Sequence, residues 1–159
     1  MVFTVLTCIF VATAVIQLAY LISFIPILFH KTTNATLEET PPISVIVCAK
    51  NEVSNLNKLI PLLLDQEYKN FELVLINDGS DDETLEIMTK FQKQNSKIKI
   101  VNVKNNEAFW GNKKYALTLG IKAATNEHLL FTDADCIPSS IKWIQEMSNH
   151  FTKSKTIIL

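Results

Sequence analysis

Residues 2–29 carry no Asp, Glu, Lys, Arg or His, and only Thr4, Thr7, Thr13, Gln17 and Ser23 interrupt the apolar run. A helix of that length exceeds the roughly 20 residues that cross about 30 Å of hydrocarbon, and tilt or a break at Pro26 absorbs the excess. The polar positions share no face, which argues against a helix buried on one side of a core. A cleaved leader would open with basic residues, and Met1–Thr4 has none. The pattern predicts a membrane anchor over residues 1–30. Residues 31–42 then form a polar linker ending in Pro41-Pro42, which holds the chain extended and cannot continue a helix.

Beyond that linker the pattern changes. Ile43–Cys48, Phe71–Ile76, Ile98–Val103 and His128–Thr132 are apolar runs of strand length, rich in β-branched residues. Helical spacing fills the gaps between them. Residues 54–66 carry Leu56, Leu59, Ile60, Leu63 and Leu64, with Pro61 expected to bend or shorten that helix. Residues 81–95 show Leu85, Met88 and Phe91 on one stripe, and Ser80 with Glu83 writes a capping box ahead of them. Residues 113–124 and 139–151 complete the set, the last with Ile141, Ile144, Met147 and Phe151. Strands alternating with helices predict an α/β fold: a mostly parallel sheet with helices on both faces and right-handed crossovers. Ligands of such sheets bind at the carboxyl ends of the strands. Polar clusters follow the strands here, namely Lys50-Asn51-Glu52, Asn77-Asp78-Gly79-Ser80-Asp81-Asp82 and Asp133-Ala134-Asp135.

Composition narrows the function. A chain of 159 residues holds one domain and a short appendage. Its 15 Lys+Arg against 16 Asp+Glu give a net charge of −1, so a surface that neutralises nucleic-acid phosphates is not expected. The three glycines, Gly79, Gly111 and Gly120, lie too far apart for a dinucleotide-binding or P-loop fingerprint. Cys8, Cys48 and Cys136 have neither metal-ligand spacing nor an evident pair. Unpaired thiols favour a reducing compartment, hence a single-pass membrane protein with its soluble part in the cytoplasm. His30 and Lys31 are too few to orient the span by charge.

The chemistry concentrates at the strand ends. Asp133 and Asp135, one residue apart after a strand, offer two hard oxygen ligands of the kind Mg²⁺ or Mn²⁺ takes together with substrate phosphates. Taken alone, the same D-x-D is ordinary turn chemistry. Asp78 can accept a hydrogen bond from a base N–H or a ribose, or simply belong to a strand-to-helix turn. Lys113 and Lys114 open a helix and can pair with a diphosphate or form a solvated basic face. Phe109 and Trp110 can stack on a ring or pack internally. His30, His128 and His150 are scattered and support no catalytic or metal role.

Together, in this order, these segments resemble the family 2 glycosyltransferases of the GT-A fold, which include cellulose, chitin and hyaluronan synthases. The matching residues are Pro42–Glu52, Leu75–Asp82, Gly111–Ile121 and Phe131–Cys136. The resemblance implies a nucleotide-diphospho-sugar donor site, with Asp78 toward the base, Lys113 toward the diphosphate, and Asp133-Ala-Asp135 as the metal-binding element. Asp133 would also contact the nucleotide, and Ala49 and Glu52 would line its pocket. It further implies a hexosyltransferase that takes a UDP-sugar with Mn²⁺ or Mg²⁺, inverts the anomeric centre, and serves a glycan or lipid-linked acceptor at a membrane. Lys113-Lys-Tyr-Ala-Leu117 fits the family's Lys-x-x-Ala-Leu pattern, whereas Thr118 stands where Asn is usual.

The family continues well beyond its D-x-D element, including the acidic segment that bears the catalytic base. Residues 43–159 are therefore expected to be a donor-binding domain truncated at its C-terminus, ending where Thr156–Leu159 would begin a strand, with no catalytic base present and exposed sheet edges prone to association. Three rivals remain. A haloacid-dehalogenase-type phosphohydrolase uses D-x-D but leaves Asp78 and Lys113 idle. A sugar-nucleotide pyrophosphorylase needs a Gly-rich basic loop after the first strand, where Ala49-Lys-Asn-Glu52 stands instead. A membrane-anchored module that binds a nucleotide-sugar, or a partner subunit, without transfer accounts for the missing acceptor machinery.

Overall fold

The computed structural model describes residues 1–28, 40–104, 113–149 and 151. Its contacts divide the chain into two compact units, Met1–Asn34 and Ala35–Leu159. The expectations for His30, Lys31, Phe109, Trp110, Gly111, His150, most of the linker and Thr156–Leu159 fall outside the described residues.

The first unit is helix α1, Val2–Leu28, which continues past Pro26 instead of breaking there. Its apolar side chains are exposed through Ile25, and Val2–Ile25 is long and apolar enough to cross a membrane. Three of the five polar interruptions bond to the helix's own carbonyls. Thr7 donates to the Phe3 carbonyl at 2.9 Å, Thr13 to that of Phe10 at 2.8 Å, and Ser23 to that of Tyr20 at 2.6 Å. A hydroxyl bonded to the preceding turn needs no water, the condition a lipid environment imposes.

In the second unit four strands, β1 (Ile43–Ala49), β2 (Phe71–Asp78), β3 (Ile98–Val103) and β4 (His128–Asp133), form a parallel sheet in the order β3-β2-β1-β4. Four helices follow the strands: α2 (Val53–Leu64), α3 (Thr84–Gln94), α4 (Lys113–Ala123) and α5 (Trp143–Ser148). Alternation in the strands builds two cores. Val45, Val47, Leu73, Leu75 and Ile98 face α2, α3 and α5, burying Leu56, Leu59, Ile60, Leu63, Met88 and Ile144. Ile46, Val74 and Ile76 face the other way, onto Ala116 and its neighbours on α4. The α/β fold with helices on both faces is thus realised.

Two helices differ from the sequence pattern. Helix α3 starts at Thr84, with no side-chain cap at Glu83. Ser80 is engaged elsewhere, and Asp82 Oδ1 accepts the Thr84 N–H at 3.0 Å. Helix α5 has six residues, because the stretch before it spends its backbone on a neighbour. The Ser140 carbonyl accepts from Gln66 Nε2 at 2.9 Å, the Ile141 carbonyl from the Glu67 N–H at 2.8 Å, and Gln66 Oε1 takes the Ile144 N–H at 3.0 Å. Ile141, expected in the core, is 51% exposed. Helix α2 passes through Pro61, so that proline neither ends nor shortens it.

Helix α4 lies close enough to the sheet that a Cβ on Gly120 would come 2.2 Å from Ile76 Cδ1 and 2.9 Å from Ile76 Cγ1. Gly120→Ala adds up to about 1 kcal/mol of helix propensity, but overpacking a full core costs about 1–3 kcal/mol. Net destabilisation is expected in urea unfolding. Ile76→Val, which removes the nearest atom, should recover part of it in the double variant. A Gly120→Ala protein more stable than wild type would contradict this close approach.

Candidate functional site

The functional residues stand where three strands end. Asp78 and Asp133 are the last residues of β2 and β4, one strand to either side of β1. Two inter-strand spacings, roughly 10 Å, separate their strands, and Asp78 stands two residues further along than Asp133. In register, Cys48 of β1 lies level with Ile76 of β2 and Asp133 of β4. The alternation that turns Ile46, Val74, Ile76 and Leu129 toward α4 also turns Cys48, Asp78 and Asp133 to that face. Lys113, the first residue of α4, reaches the same place: its Nζ donates to Asp133 Oδ1 at 2.7 Å.

The electrostatics follows from the same convergence. Burial, then the Asp78 carboxylate, push the Cys48 thiol up to about 11; Lys113 pulls the other way and Asp133 adds to the rise. One thiol therefore feels all three charged groups, and stays protonated at neutral pH. The Lys113–Asp133 hydrogen bond raises the lysine above its ordinary value against the opposing effect of burial, and Asp133, Cys48 and Asp135 add to it by charge. Both side chains of that ion pair are 58% exposed. An exposed pair contributes at most about 1 kcal/mol, so a multiply charged ligand can displace it.

Asp133 and Asp135 turn outward because Ala134 between them is buried at 4% exposure. The Cys136 N–H closes the turn on the Asp133 carbonyl at 3.2 Å, and the Cys136 thiol lies 3.6 Å from Asp135 Oδ1. One ligand atom from each of Asp133, Asp135 and Cys136 fits within 4.8 Å of the others. Two exposed carboxylates at that separation suit a hard divalent cation that keeps room for phosphate oxygens.

The remaining expected residues are placed differently. The Ala49 side chain packs in the core on the opposite face at 2% exposure, leaving its backbone for any ligand. Glu52 accepts from Asn55 Nδ2 at 2.6 Å, and its N–H donates to Thr84 Oγ1 at 2.9 Å. Sequence reasoning passed over Cys48 and Asn51. Strand alternation was the signal for the first. For the second it was residue type, since Asn tolerates the left-handed backbone it adopts at φ 58°. A separate cleft of about 310 Å³ opens beside α3, with Asn77, Ser80, Glu86 and Asn102 in its lining.

The family described as "Glycosyl transferase family 2" matches residues 44–159. The chain belongs to that family. An uncharacterized glycosyltransferase of Haemophilus influenzae is 32% identical over 121 residues, which cover 76% of this chain and 36% of the relative. The structure of S. aureus TarS 1–349 in complex with UDP matches with a TM-score of 0.58 at 27% identity, covering 67% of this chain and 31% of TarS. The fold is also that of the mannosyltransferase PcManGT from Pyrobaculum calidifontis, solved with GDP-Man and Mn²⁺: TM-score 0.61, 22% identity, 70% of this chain and 32% of that one. The chain spans about a third of the length of these proteins. The GT-A assignment stands, and the family match leaves the phosphohydrolase reading without support.

Proposed function

We propose that this family 2 chain supplies the donor site of a glycosyltransferase that moves a sugar from a nucleotide-diphospho-sugar, UDP-sugar favoured, to an acceptor hydroxyl of a glycan or lipid-linked molecule. The observation that carries the reading is the convergence of Asp78, Lys113 and Asp133 around Cys48 on one face of the sheet. In this reading Asp78 accepts a hydrogen bond from the base or ribose, Lys113 exchanges Asp133 for the diphosphate, and the backbone of Ala49 and Glu52 borders the nucleotide. TarS, at 27% identity, was solved with UDP, which supports a uridine donor here.

Asp133 and Asp135 fit a divalent cation by donor chemistry and separation, and would hold Mn²⁺ or Mg²⁺. When bound, that ion supplies Lewis-acid neutralisation of the departing diphosphate. Transfer proceeds with inversion: the acceptor oxygen bonds to the anomeric carbon as the bond to the diphosphate oxygen breaks, and a carboxylate base takes the acceptor's proton. Among the described residues Asp78, Asp133 and Asp135 serve the donor in this reading, so none of the three is assigned as the base. Helix α1 supports a single-pass anchor, and three cysteines without disulfides support a cytoplasmic face for residues 43–159 as the donor-binding domain.

Calorimetric titration of the full chain in detergent with UDP and GDP, with and without Mn²⁺, tests the reading. UDP is expected to bind in a metal-dependent way and more tightly than GDP, and Asp78→Ala to erase that preference while keeping the metal dependence. Equal affinity for UDP and GDP in the wild type, or binding indifferent to Mn²⁺, would overturn it.

A further inference from the structure

The loop after β1 and the turn after β2 are joined by hydrogen bonds that the proposed donor chemistry does not use. Asn51, at φ 58°, donates its backbone N–H to Ser80 Oγ at 3.0 Å and accepts the Asp81 N–H on its side-chain Oδ1 at 2.9 Å. Next to it, the Glu52 N–H donates to Thr84 Oγ1, on a fully buried threonine, at 2.9 Å. Three bonds thus run from two consecutive residues to three positions in the Ser80–Thr84 stretch.

From this geometry we infer that Asn51 is a positioning residue for Asp78; the inference rests on the reading of Asp78 as the group that meets the nucleoside. Asp78 is fixed on its N-terminal side by the ladder, level with Val103 of β3. Ser80 and Asp81, just beyond it, are fixed by Asn51. Only Gly79, at φ 61°, lies between the two anchors; strand parity sets the face of Asp78, and Asn51, together with Asn77, whose Oδ1 accepts the Ser80 N–H at 3.2 Å, holds the turn that borders its carboxylate. Asn51 itself stands three residues beyond Cys48, in the loop that continues the strand separating Asp78 from Asp133. The same strand therefore sets the offset between the nucleoside end of the site and its phosphate end. A side chain at this position must tolerate a left-handed backbone and offer an oxygen acceptor over a short reach. Asn and Asp do both, Gly does only the first, and Ala does neither well.

The test titrates the full chain in detergent with two probes in Mn²⁺, UDP and inorganic pyrophosphate, for the wild type, Asn51→Gly and Asn51→Asp. Asn51→Gly keeps the backbone angle and loses the acceptor. It is expected to weaken UDP by about tenfold, the scale of one lost hydrogen bond, and to leave pyrophosphate within about twofold. Asn51→Asp restores the acceptor and is expected to bind UDP within about threefold of wild type. Wild-type UDP affinity in Asn51→Gly overturns the inference. So does equal weakening of both probes, which marks a general loss of structure. A wild-type chain that binds UDP no better than pyrophosphate removes the nucleoside role of Asp78 itself, a separate failure seen before any variant is compared.

Discussion

Asp133→Asn is expected to change nucleotide affinity in opposite directions with and without metal. In the proposed site the variant lacks one of the two hard carboxylates that would hold Mn²⁺, and UDP affinity in Mn²⁺ should fall about a hundredfold, roughly 3 kcal/mol. Without metal the sign reverses. Asp133 then only opposes a diphosphate, by its own negative charge and by occupying Lys113 through the 2.7 Å hydrogen bond. Removing it frees the ammonium, whose affinity for protons relaxes toward its ordinary value but which stays charged at neutral pH. Metal-free UDP binding should therefore strengthen severalfold. Asp135→Asn separates the two effects, because it removes a metal ligand and leaves the Lys113–Asp133 pair in place. It should weaken binding in Mn²⁺ and leave metal-free binding within about twofold. Calorimetry on both variants in EDTA and in Mn²⁺ distinguishes them, and identical metal-free behaviour would show that the ion pair does not guard the diphosphate position.

The sheet was legible in the sequence because its signal is local. All four strands form where β-branched runs end in polar clusters, and each observed strand lies within two residues of its expected bounds. Asp78 and Asp133 prove to be inside the ladder, so strand parity decides which face they take. The features that escaped are held by partners distant along the chain. Ser80 carries the local signature of a helix cap, yet its hydroxyl accepts from Asn51, 29 positions away. The stretch before α5 reads as helix by its apolar spacing, yet Gln66 and Glu67 capture its carbonyls. In both places a tertiary hydrogen bond outcompetes a propensity worth less than about 1 kcal/mol per residue. The D-x-D element was readable as chemistry, while its partnership with Lys113 needed the parallel sheet to bring the start of α4 to the end of β4.

Glu72→Ala is expected to cost more stability than any change at the site itself, although Glu72 stands at the opposite end of the strands, near the start of β2. Its Oε1 accepts from the fully buried Ser44 hydroxyl at 2.6 Å and from the Thr125 N–H at 2.6 Å, and its Oε2 lies 2.9 Å from Lys99 Nζ. Lys99 also bonds Thr125 Oγ1 and, at 3.4 Å, the Ala123 carbonyl that ends α4. One carboxylate thus ties β1, β2 and β3 to the turn between α4 and β4. Deleting it strips Ser44 of its acceptor and Lys99 of its counter-charge, a loss of about 2–4 kcal/mol in a domain whose total stability is about 5–15 kcal/mol. Burial alone would raise the pKa of Glu72; the hydrogen bonds from Ser44 and Thr125 and the pairing with Lys99 outweigh it and hold the group below its ordinary 4.5. A depressed carboxylate contributes stability that is complete above its unfolded value and is lost as pH falls through its folded value. Urea unfolding of wild type and Glu72→Gln should accordingly differ most at pH 7 and converge in acid. Because Lys113 stands at the far end of α4, the folded fraction of Glu72→Gln should still bind UDP normally. A variant that loses UDP affinity without losing stability would mean that this end of the strands steers the site directly and not only through the packing of α4.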